Sequence, residues 1–242
     1  MDIQLNGVCK SFDKRPAIRD MTLAVASGET ICLLGPSAAG KTTTIRLLIG
    51  AIAADSGEIS IGGTKIPNLK LLRKIGFMPQ NDALYDDLSG EDNLKFFSEL
   101  HGMRRGAIAR RISETLSVVD LSGDRKKLVA HYSGGMKKRL SLAAALIHEP
   151  EVLLLDEPTV GIDPVLRREI WNELHKLGSS GKTILVSTHV MDEVAECDKA
   201  ALIYNGSLIE HDTVGNLLSK TDSGKIEELF FMAAGRKGGG AQ

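Results

Sequence analysis

The sequence lacks the features that mark a nucleic-acid-binding or disulfide-bonded protein. Its 30 basic and 31 acidic side chains give a formal net charge of −1, so no global positive field favours nucleic acid as a partner. Its 3 cysteines are odd in number and lack metal-like spacing. They therefore predict buried, reduced thiols and a reducing compartment.

Long apolar runs are also missing. The longest stretches, such as LAAALI at residues 142–147, fall far short of the roughly 20 residues that span a bilayer. The N-terminal segment MDIQLNGVCK contains no apolar core of signal-peptide length. We therefore expect a soluble chain that has a membrane role only through a partner.

The composition is that of an ordinary globular protein. The 242 residues are 43% hydrophobic and 25% charged, enough for one large or two small domains. Short β-like runs fill the first third, helical spacing dominates from Asn81 to Pro150, and buried strands then alternate with helices. This order predicts an α/β fold with a mainly parallel sheet, an antiparallel β subdomain at the N-terminus and a helical insert. We expect the following bounds: a core at 1–80 and 150–220, the insert at 81–149, and a C-terminal helix with a disordered tail at 221–242.

The most informative local pattern is GPSAAGKTT at residues 35–43, which matches the phosphate-loop pattern G-x-x-x-x-G-K-[ST]. An apolar strand precedes it and a helix follows it, as this loop requires, so a glycine-rich turn with a surface lysine is the weaker interpretation. Backbone N–H groups of the loop wrap phosphates, Lys41 neutralises their charge, and the Thr42 hydroxyl can ligate Mg²⁺. The pattern predicts a P-loop NTPase core, with nucleotide contacts from Gly35, Pro36, Ser37, Ala38, Ala39, Gly40, Lys41, Thr42 and Thr43.

Polar side chains follow three further strand-like runs. Asp156 and Glu157 end the apolar run EVLLL, Gln80 follows KIGFMP, and His189 follows TILVST. Each of these groups alone is more often structural, but open α/β sheets bind ligands at the carboxyl ends of their strands. A common site is therefore the simpler explanation. In it Asp156 holds Mg²⁺ and Glu157 is the general base for a water that attacks the γ-phosphate.

A second anion-binding helix N-terminus is predicted at YSGGMKKRL, residues 132–140. It has no counterpart of the phosphate-loop lysine and no acidic strand of its own, so it supplies only half of a nucleotide site. Asp163 precedes Pro164, an arrangement that favours capping of the following helix. Phe12 fits either a core aromatic or a base-stacking platform, and the composition does not decide between them.

Taken in their order along the chain, these motifs resemble the ATP-binding subunits of ABC transporters, over residues 2–234. The resemblance implies that two subunits pair head to tail around ATP. The signature of one subunit, formed by Ser133, Gly134, Gly135 and Met136, then contacts the nucleotide that the other subunit holds. By the same resemblance Gln80 contacts Mg²⁺, His189 contacts the γ-phosphate, Phe12 stacks on adenine and Asp163 lies at the subunit interface.

The resemblance also sets the expected activity and partners. We expect an ATPase that uses ATP and Mg²⁺, pairs with a second ATP-binding subunit (identical or a paralogue), and drives an integral membrane permease from the cytoplasmic face as a peripheral protein. Nucleic acid is not expected. Tyr132, Met136 and the tail IEELFFMAAG are similar to the ABC-2 export-type branch, which implies export. We place the permease contact at residues 81–88, where an ordinary exposed loop is the alternative.

The chain departs from the family pattern at Ala38, where glycine is usual. We expect Ala38 to adopt an allowed conformation that avoids the strain of a positive φ and still permits ATP binding. In the tail, residues 225–235 have helical spacing and are expected to dock on the domain, whereas RKGGGAQ at residues 236–242 is expected to be disordered.

Three alternatives remain open at this point. A soluble ABC-type ATPase of ribosomes or DNA usually carries two motif sets or a coiled-coil insertion, which this chain lacks. A different P-loop enzyme, such as a small-molecule kinase, leaves the signature and His189 unexplained. A regulatory subunit that does not hydrolyse ATP conflicts with the presence of Glu157 and His189.

Overall fold

The computed structural model describes residues 1–238, with side chains described as far as residue 235. The chain forms two compact units, one from residues 1–68 together with the part after residue 184, the other from residues 69–184. In chain order, the first segment of the first unit contains β1 (Ile3–Phe12), β2 (Arg15–Val25), β3 (Thr30–Leu34), α1 (Lys41–Leu48), β4 (Ser56–Ile61) and β5 (Thr64–Lys65).

Four of these strands form an antiparallel sheet in the order β2-β1-β4-β5. Strand β1 begins with the alternation of a half-buried strand, with Ile3 and Leu5 fully buried between exposed neighbours. A register shift against β2 then separates Leu5 from Val8, which is also fully buried. The predicted antiparallel subdomain at the N-terminus is thus confirmed. Strand β3 is different, because all five of its residues are buried. It therefore belongs to the interior and delivers the phosphate loop at its carboxyl end.

The second unit combines helices with buried parallel strands. Strand β7 pairs in parallel with β6 and is buried over its whole length, as the unbroken apolar run predicts. The last strand of this unit continues into the first unit, because the boundary falls after Ile184. The elements are α2 (Leu69–Leu72), β6 (Ile75–Met78), α3 (Gly90–Leu100), α4 (Arg105–Val118), α5 (Gly134–Leu146), β7 (Val152–Asp156), α6 (Pro164–Ser179) and β8 (Thr183–Thr188).

The helix starts follow the sequence signals. Ser89 caps α3, and its hydroxyl accepts a hydrogen bond from the Asp92 amide, as serine does at a helix N-cap. The second half of helix α5 is buried on several faces, because Leu142, Ala145 and Leu146 are buried as well as Leu140 and Ala143. A helix that is apolar all round lies in the interior.

The chain then returns to the first unit, where it forms two strands that the sequence patterns did not predict. Strand β9 pairs in parallel with β3 and antiparallel with β10. A short 3-10 helix at 191–196 leads into them. The elements are β9 (Lys199–Tyr204), β10 (Ser207–Thr213), α7 (Val214–Ser219) and α8 (Glu227–Gly238).

The C-terminal helix docks on its own unit as predicted. Ile226, Leu229 and Phe230 are buried, and the Phe230 ring lies 6.5 Å from that of Tyr204. The predicted disorder of residues 236–242 is wrong for 236–238, which continue α8, because Arg and Lys propagate a helix well. Residues 239–242 lie outside the described part. Within the described chain, no helix has the length and apolarity to cross a membrane.

Candidate active site

The phosphate loop in the first unit needs both of its glycines. A β-carbon on Gly35 would collide with the backbone carbonyl of Ile203, and Gly40 has φ 114° with the Ala17 carbonyl only 2.9 Å from a β-carbon built on it. Only glycine tolerates that φ together with such close backbone contact. The loop shape is therefore specified by these two positions and by the strands that pack against them.

The helix that follows is suited to bind an anion. Helix α1 begins after Gly40 without a side-chain cap and without an acidic residue in its first turn, so its positive end faces the loop. The Lys41 side chain is 5% exposed, and its Nζ donates to the carbonyl oxygens of Gly35 at 2.7 Å and Pro36 at 3.0 Å. A buried ammonium beside an uncapped helix N-terminus favours phosphate groups.

The expectation for the backbone of Ala38 is wrong. Its φ is 62°, in the left-handed region that the missing glycine would adopt at low cost. The loop has to turn sharply here, because the Ala39 amide bonds back to the Pro36 carbonyl at 3.2 Å. Pro36, Ser37 and Ala38 are exposed, whereas Ala39 is buried, so the left-handed turn lies on the open side of the loop. The β-carbon of Ala38 consequently occupies solvent and costs backbone strain rather than a clash.

Two other predicted site residues belong to the first unit. His189 is exposed and directly follows β8. Phe12 ends β1 with 45% of its surface exposed, and the Lys10 ammonium lies 5.6 Å from the centre of its ring. The interpretation of Phe12 as a core aromatic is therefore wrong, because nearly half of the residue is accessible to solvent.

The acidic residues of the second unit lie where strand β7 ends. Asp156 is the last residue of the strand and is 1% exposed. Glu157 leaves the strand with φ 54°, a left-handed conformation that is costly for any residue with a β-carbon. Its carboxylate accepts a 3.1 Å hydrogen bond from Nε2 of Gln80. The structure thus brings together two predicted site residues that are 77 positions apart in the sequence.

The signature sequence starts helix α5 in the predicted way. Ser133 is the N-cap, and its Oγ accepts from the Met136 amide at 3.2 Å. Gly134 has no described atom within 4 Å of the place where a β-carbon would lie, and Gly135 has only the Gly161 carbonyl at 4.0 Å. The fold of the described chain therefore does not require glycine at either position. Their lack of side chains leaves the helix N-terminus accessible from outside.

Neighbouring residues fix the position of this turn. The hydroxyl of Tyr132 donates to the Asp124 carbonyl at 2.9 Å, so the tyrosine anchors the chain before the signature. Asp163 caps α6 as predicted, since its Oδ1 accepts from the amides of Val165 and Leu166 at 3.1 Å each. In the segment 81–88, all residues but Leu84 and Leu88 are exposed.

One further residue of this region, Lys138, was not predicted from the sequence. Lys138 lies two positions after Met136, and its Nζ donates to the Gln80 carbonyl at 2.9 Å. Burial lowers the pKa of Lys138, while the carboxylates of Asp82, Glu157 and Asp156 act in the opposite direction. No local pattern reveals this contact, because the two residues are 58 positions apart. The only feature of the sequence that could have indicated a role for Lys138 is its positive charge within the segment YSGGMKKRL.

Comparison with known proteins decides the family. A family model described as "ABC transporter" matches residues 18–160, which is more than half of the chain. The chain belongs to the ABC transporter family. It is 37% identical to a linearmycin resistance ATP-binding protein of Bacillus subtilis (strain 168), over 94% of this chain and 74% of that protein. It is 36% identical to a probable multidrug ABC transporter ATP-binding protein of Escherichia coli (strain K12), over 90% of this chain and 38% of that protein.

Solved structures agree with this assignment. A dimeric ATP-binding cassette in a post-hydrolysis state, bound to ADP and Pi, superimposes with a TM-score of 0.81 at 25% identity, over 87% of this chain and 98% of the other. The chain is therefore an ABC-type ATPase that binds ATP on an α/β, P-loop NTPase fold. This excludes the alternative of an unrelated small-molecule kinase.

Proposed function

We propose that this ABC ATPase dimerises around two Mg-ATP molecules and drives export through a separate membrane permease. The observation that supports it best is the open N-terminus of α5. Ser133, Gly134 and Gly135 form an anion-binding turn whose glycines the described chain does not need. The absence of side chains at Gly134 and Gly135 is explained if a second subunit brings a nucleotide to this turn. A β-carbon at either position would hold the phosphate farther from the backbone N–H groups.

Within one chain, we assign phosphate binding to residues 35–43 with Lys41 as the counter-charge. The ligands for Mg²⁺ are the Thr42 hydroxyl, the Gln80 side-chain carbonyl and the Asp156 carboxylate. All three are oxygen donors, which is the set that Mg²⁺ prefers, with phosphates completing its shell. When bound, Mg²⁺ neutralises charge on the phosphate oxygens.

For hydrolysis, we assign Glu157 as the group that orients and deprotonates the attacking water. The hydrogen bond from Gln80 to its Oε2 helps to orient the carboxylate. His189 contacts the γ-phosphate, and from the partner subunit Ser133, Gly134, Gly135 and Met136 close the site. Phe12 stacks on adenine, and Asp163 serves the dimer interface while still capping α6.

The transport role rests on the relatives. One is named for linearmycin resistance and one for probable multidrug transport, so we propose export from the cytoplasmic face of a membrane as a peripheral subunit. We assign the permease contact to the exposed segment 81–88.

The domain bounds that we propose are an ATP-binding core at 1–80 and 150–220, a signature subdomain at 81–149, and a C-terminal segment from 221.

The test uses Glu157→Gln, which keeps the size and one oxygen of the side chain but removes the base. ATP binding should persist, turnover should fall by at least about 100-fold, and the ATP-bound variant should elute as a dimer. Glu169→Gln, an exposed change on α6, is the matched control and should keep the parent rate. Turnover of Glu157→Gln near the parent rate would show that Glu157 is not the base.

The in-trans role of the signature is tested in the Glu157→Gln background. Gly135→Asp introduces a side chain that has space in its own chain but places a negative charge against the partner's phosphates. The double variant should bind ATP and remain a monomer. A dimer of undiminished stability would contradict the in-trans assignment.

The permease is tested by isolating the protein from native membranes in mild detergent. A polypeptide with several membrane-spanning helices in about equal amount, which stimulates ATP turnover, supports the transport proposal. Ribosomal proteins or nucleic acid in its place would overturn the transport proposal and leave the ATPase intact.

A further inference from the structure

Lys138 makes a contact that the proposed mechanism does not use. It lies on α5, in the second turn after the signature glycines, and its Nζ donates a 2.9 Å hydrogen bond to the backbone carbonyl of Gln80. The side chain is half-buried. Lys138 thus connects the helix that begins with the signature to the loop that follows β6.

Gln80 in turn contacts the proposed base. Its backbone is held by Lys138, and its Nε2 donates to Glu157 Oε2 at 3.1 Å. Because Gln80 is exposed, apolar packing does not fix its position, and hydrogen bonds have to do so. We infer that Lys138 is a positioning residue for ATP hydrolysis, which holds the Gln80 backbone so that the Gln80 side chain orients Glu157. This inference rests on the proposed role of Glu157.

The neighbouring lysine offers a matched control. Lys137 forms an ion pair with Asp86 at 2.6 Å, and the side chain of Asp86 is 62% exposed. Such surface pairs contribute little to stability. Lys137 reaches the same loop from the same helix, but its contact lies six residues beyond Gln80. Replacing it removes a charge of the same kind without touching the Gln80 backbone.

The experiment compares steady-state ATP hydrolysis by the full chain carrying Lys138→Met, Lys138→Arg or Lys137→Met. Lys138→Met should lower kcat at least about tenfold and change KM for ATP less than about threefold, because it disturbs the reacting geometry and not nucleotide binding. Lys138→Arg, which retains a long cationic donor, should restore kcat to within about threefold. Lys137→Met should stay within about twofold of the parent.

A double-mutant cycle with Gln80→Ala separates positioning from structure. If Lys138 acts through the Gln80 side chain, Lys138→Met should cost less than about twofold in the Gln80→Ala background. An equal tenfold loss in both backgrounds, or no rescue by Lys138→Arg, overturns the inference. Lys138→Gln replaces Lys138→Met if the latter melts at a lower temperature than the parent.

Failure of the inference is distinguishable from failure of the proposed function. Unchanged kcat in Lys138→Met, together with loss of turnover in Glu157→Gln, overturns the positioning role alone. Parent-like turnover in Glu157→Gln overturns the role of the base and the positioning role with it.

Discussion

The left-handed backbone at Glu157 predicts that this site stores strain. Its φ of 54° is reached by residues with a β-carbon at a cost of roughly 1–2 kcal/mol. The informative comparison is between Glu157→Ala and Glu157→Gly. Both remove the carboxylate and the hydrogen bond from Gln80, so they differ only in the β-carbon and in the entropy of the unfolded chain.

The expected difference follows from these two terms. Glycine relieves roughly 1–2 kcal/mol of left-handed strain, and its more flexible unfolded chain costs about 0.5–1 kcal/mol. Glu157→Gly should therefore be more stable than Glu157→Ala by about 0.5–1 kcal/mol. For a chain of this length that difference raises Tm by about 1–4 °C. At a position with ordinary backbone the order is reversed, since alanine is then favoured over glycine by about 0.5–1 kcal/mol.

The assay is thermal unfolding followed by circular dichroism, with ATP turnover measured in parallel. Glu149 has φ 55° and is exposed, so Glu149→Ala and Glu149→Gly provide the same backbone comparison at the loop between α5 and β7. That pair should show the same order of Tm while keeping turnover, whereas both Glu157 variants should be inactive. A Glu157→Gly variant that melts below Glu157→Ala would refute the strain argument.

Three further predictions follow from the described contacts. Ser133→Ala removes the N-cap of α5 and should cost about 1 kcal/mol in urea unfolding, whereas Ser133→Thr should keep the cap; equal stability of both would contradict the capping role. Ala38→Gly relieves a φ of 62° and should tighten ATP binding by less than about fivefold, measured by titration calorimetry; a larger gain would mean that Ala38 blocks the phosphates. Burial, and secondarily His101, lowers the pKa of His148 from 6.5 to about 4. As the pH falls, His148 is therefore protonated in the unfolded chain before it is protonated in the folded chain. The free energy of unfolding should decline as the pH falls from about 6.5 to 4, by at most about 1.4 kcal/mol per pH unit. His148→Gln should reduce this dependence of stability on pH.

The sequence predicted the parts of the site that depend on local pattern. The phosphate loop, the strand that ends at Asp156 and the cap at Asp163 each follow from residues within one short segment. Their positions in the structure confirm the predicted local geometry, apart from the φ of Ala38. From the sequence, alanine in place of glycine at position 38 does not show whether the loop backbone changes or keeps a strained positive φ. The structure keeps the positive φ, because the β-carbon of Ala38 lies in solvent and meets no clash.

The remaining features depend on contacts between distant segments. Strands β9 and β10 were not predicted, because the burial of β9 arises from pairing with β3 more than 160 positions earlier in the chain. The hydrogen bond from Lys138 to Gln80 likewise joins residues 58 positions apart. Hydrophobic periodicity predicts which face of a helix or strand is buried. It does not predict which lysine side chain contacts which backbone carbonyl.

Neutral hydrogen-bond partners contact both charged groups of the proposed chemistry. The Lys41 ammonium donates to two loop carbonyls, and the Glu157 carboxylate accepts a hydrogen bond from the side-chain amide of Gln80. A phosphate bound at Lys41 forms charge-assisted hydrogen bonds, which are about twice as strong as those to neutral carbonyls. The energy of ATP binding is in this way available to reorganise the phosphate loop, while Glu157 stays oriented by Gln80 and, on our inference, by Lys138.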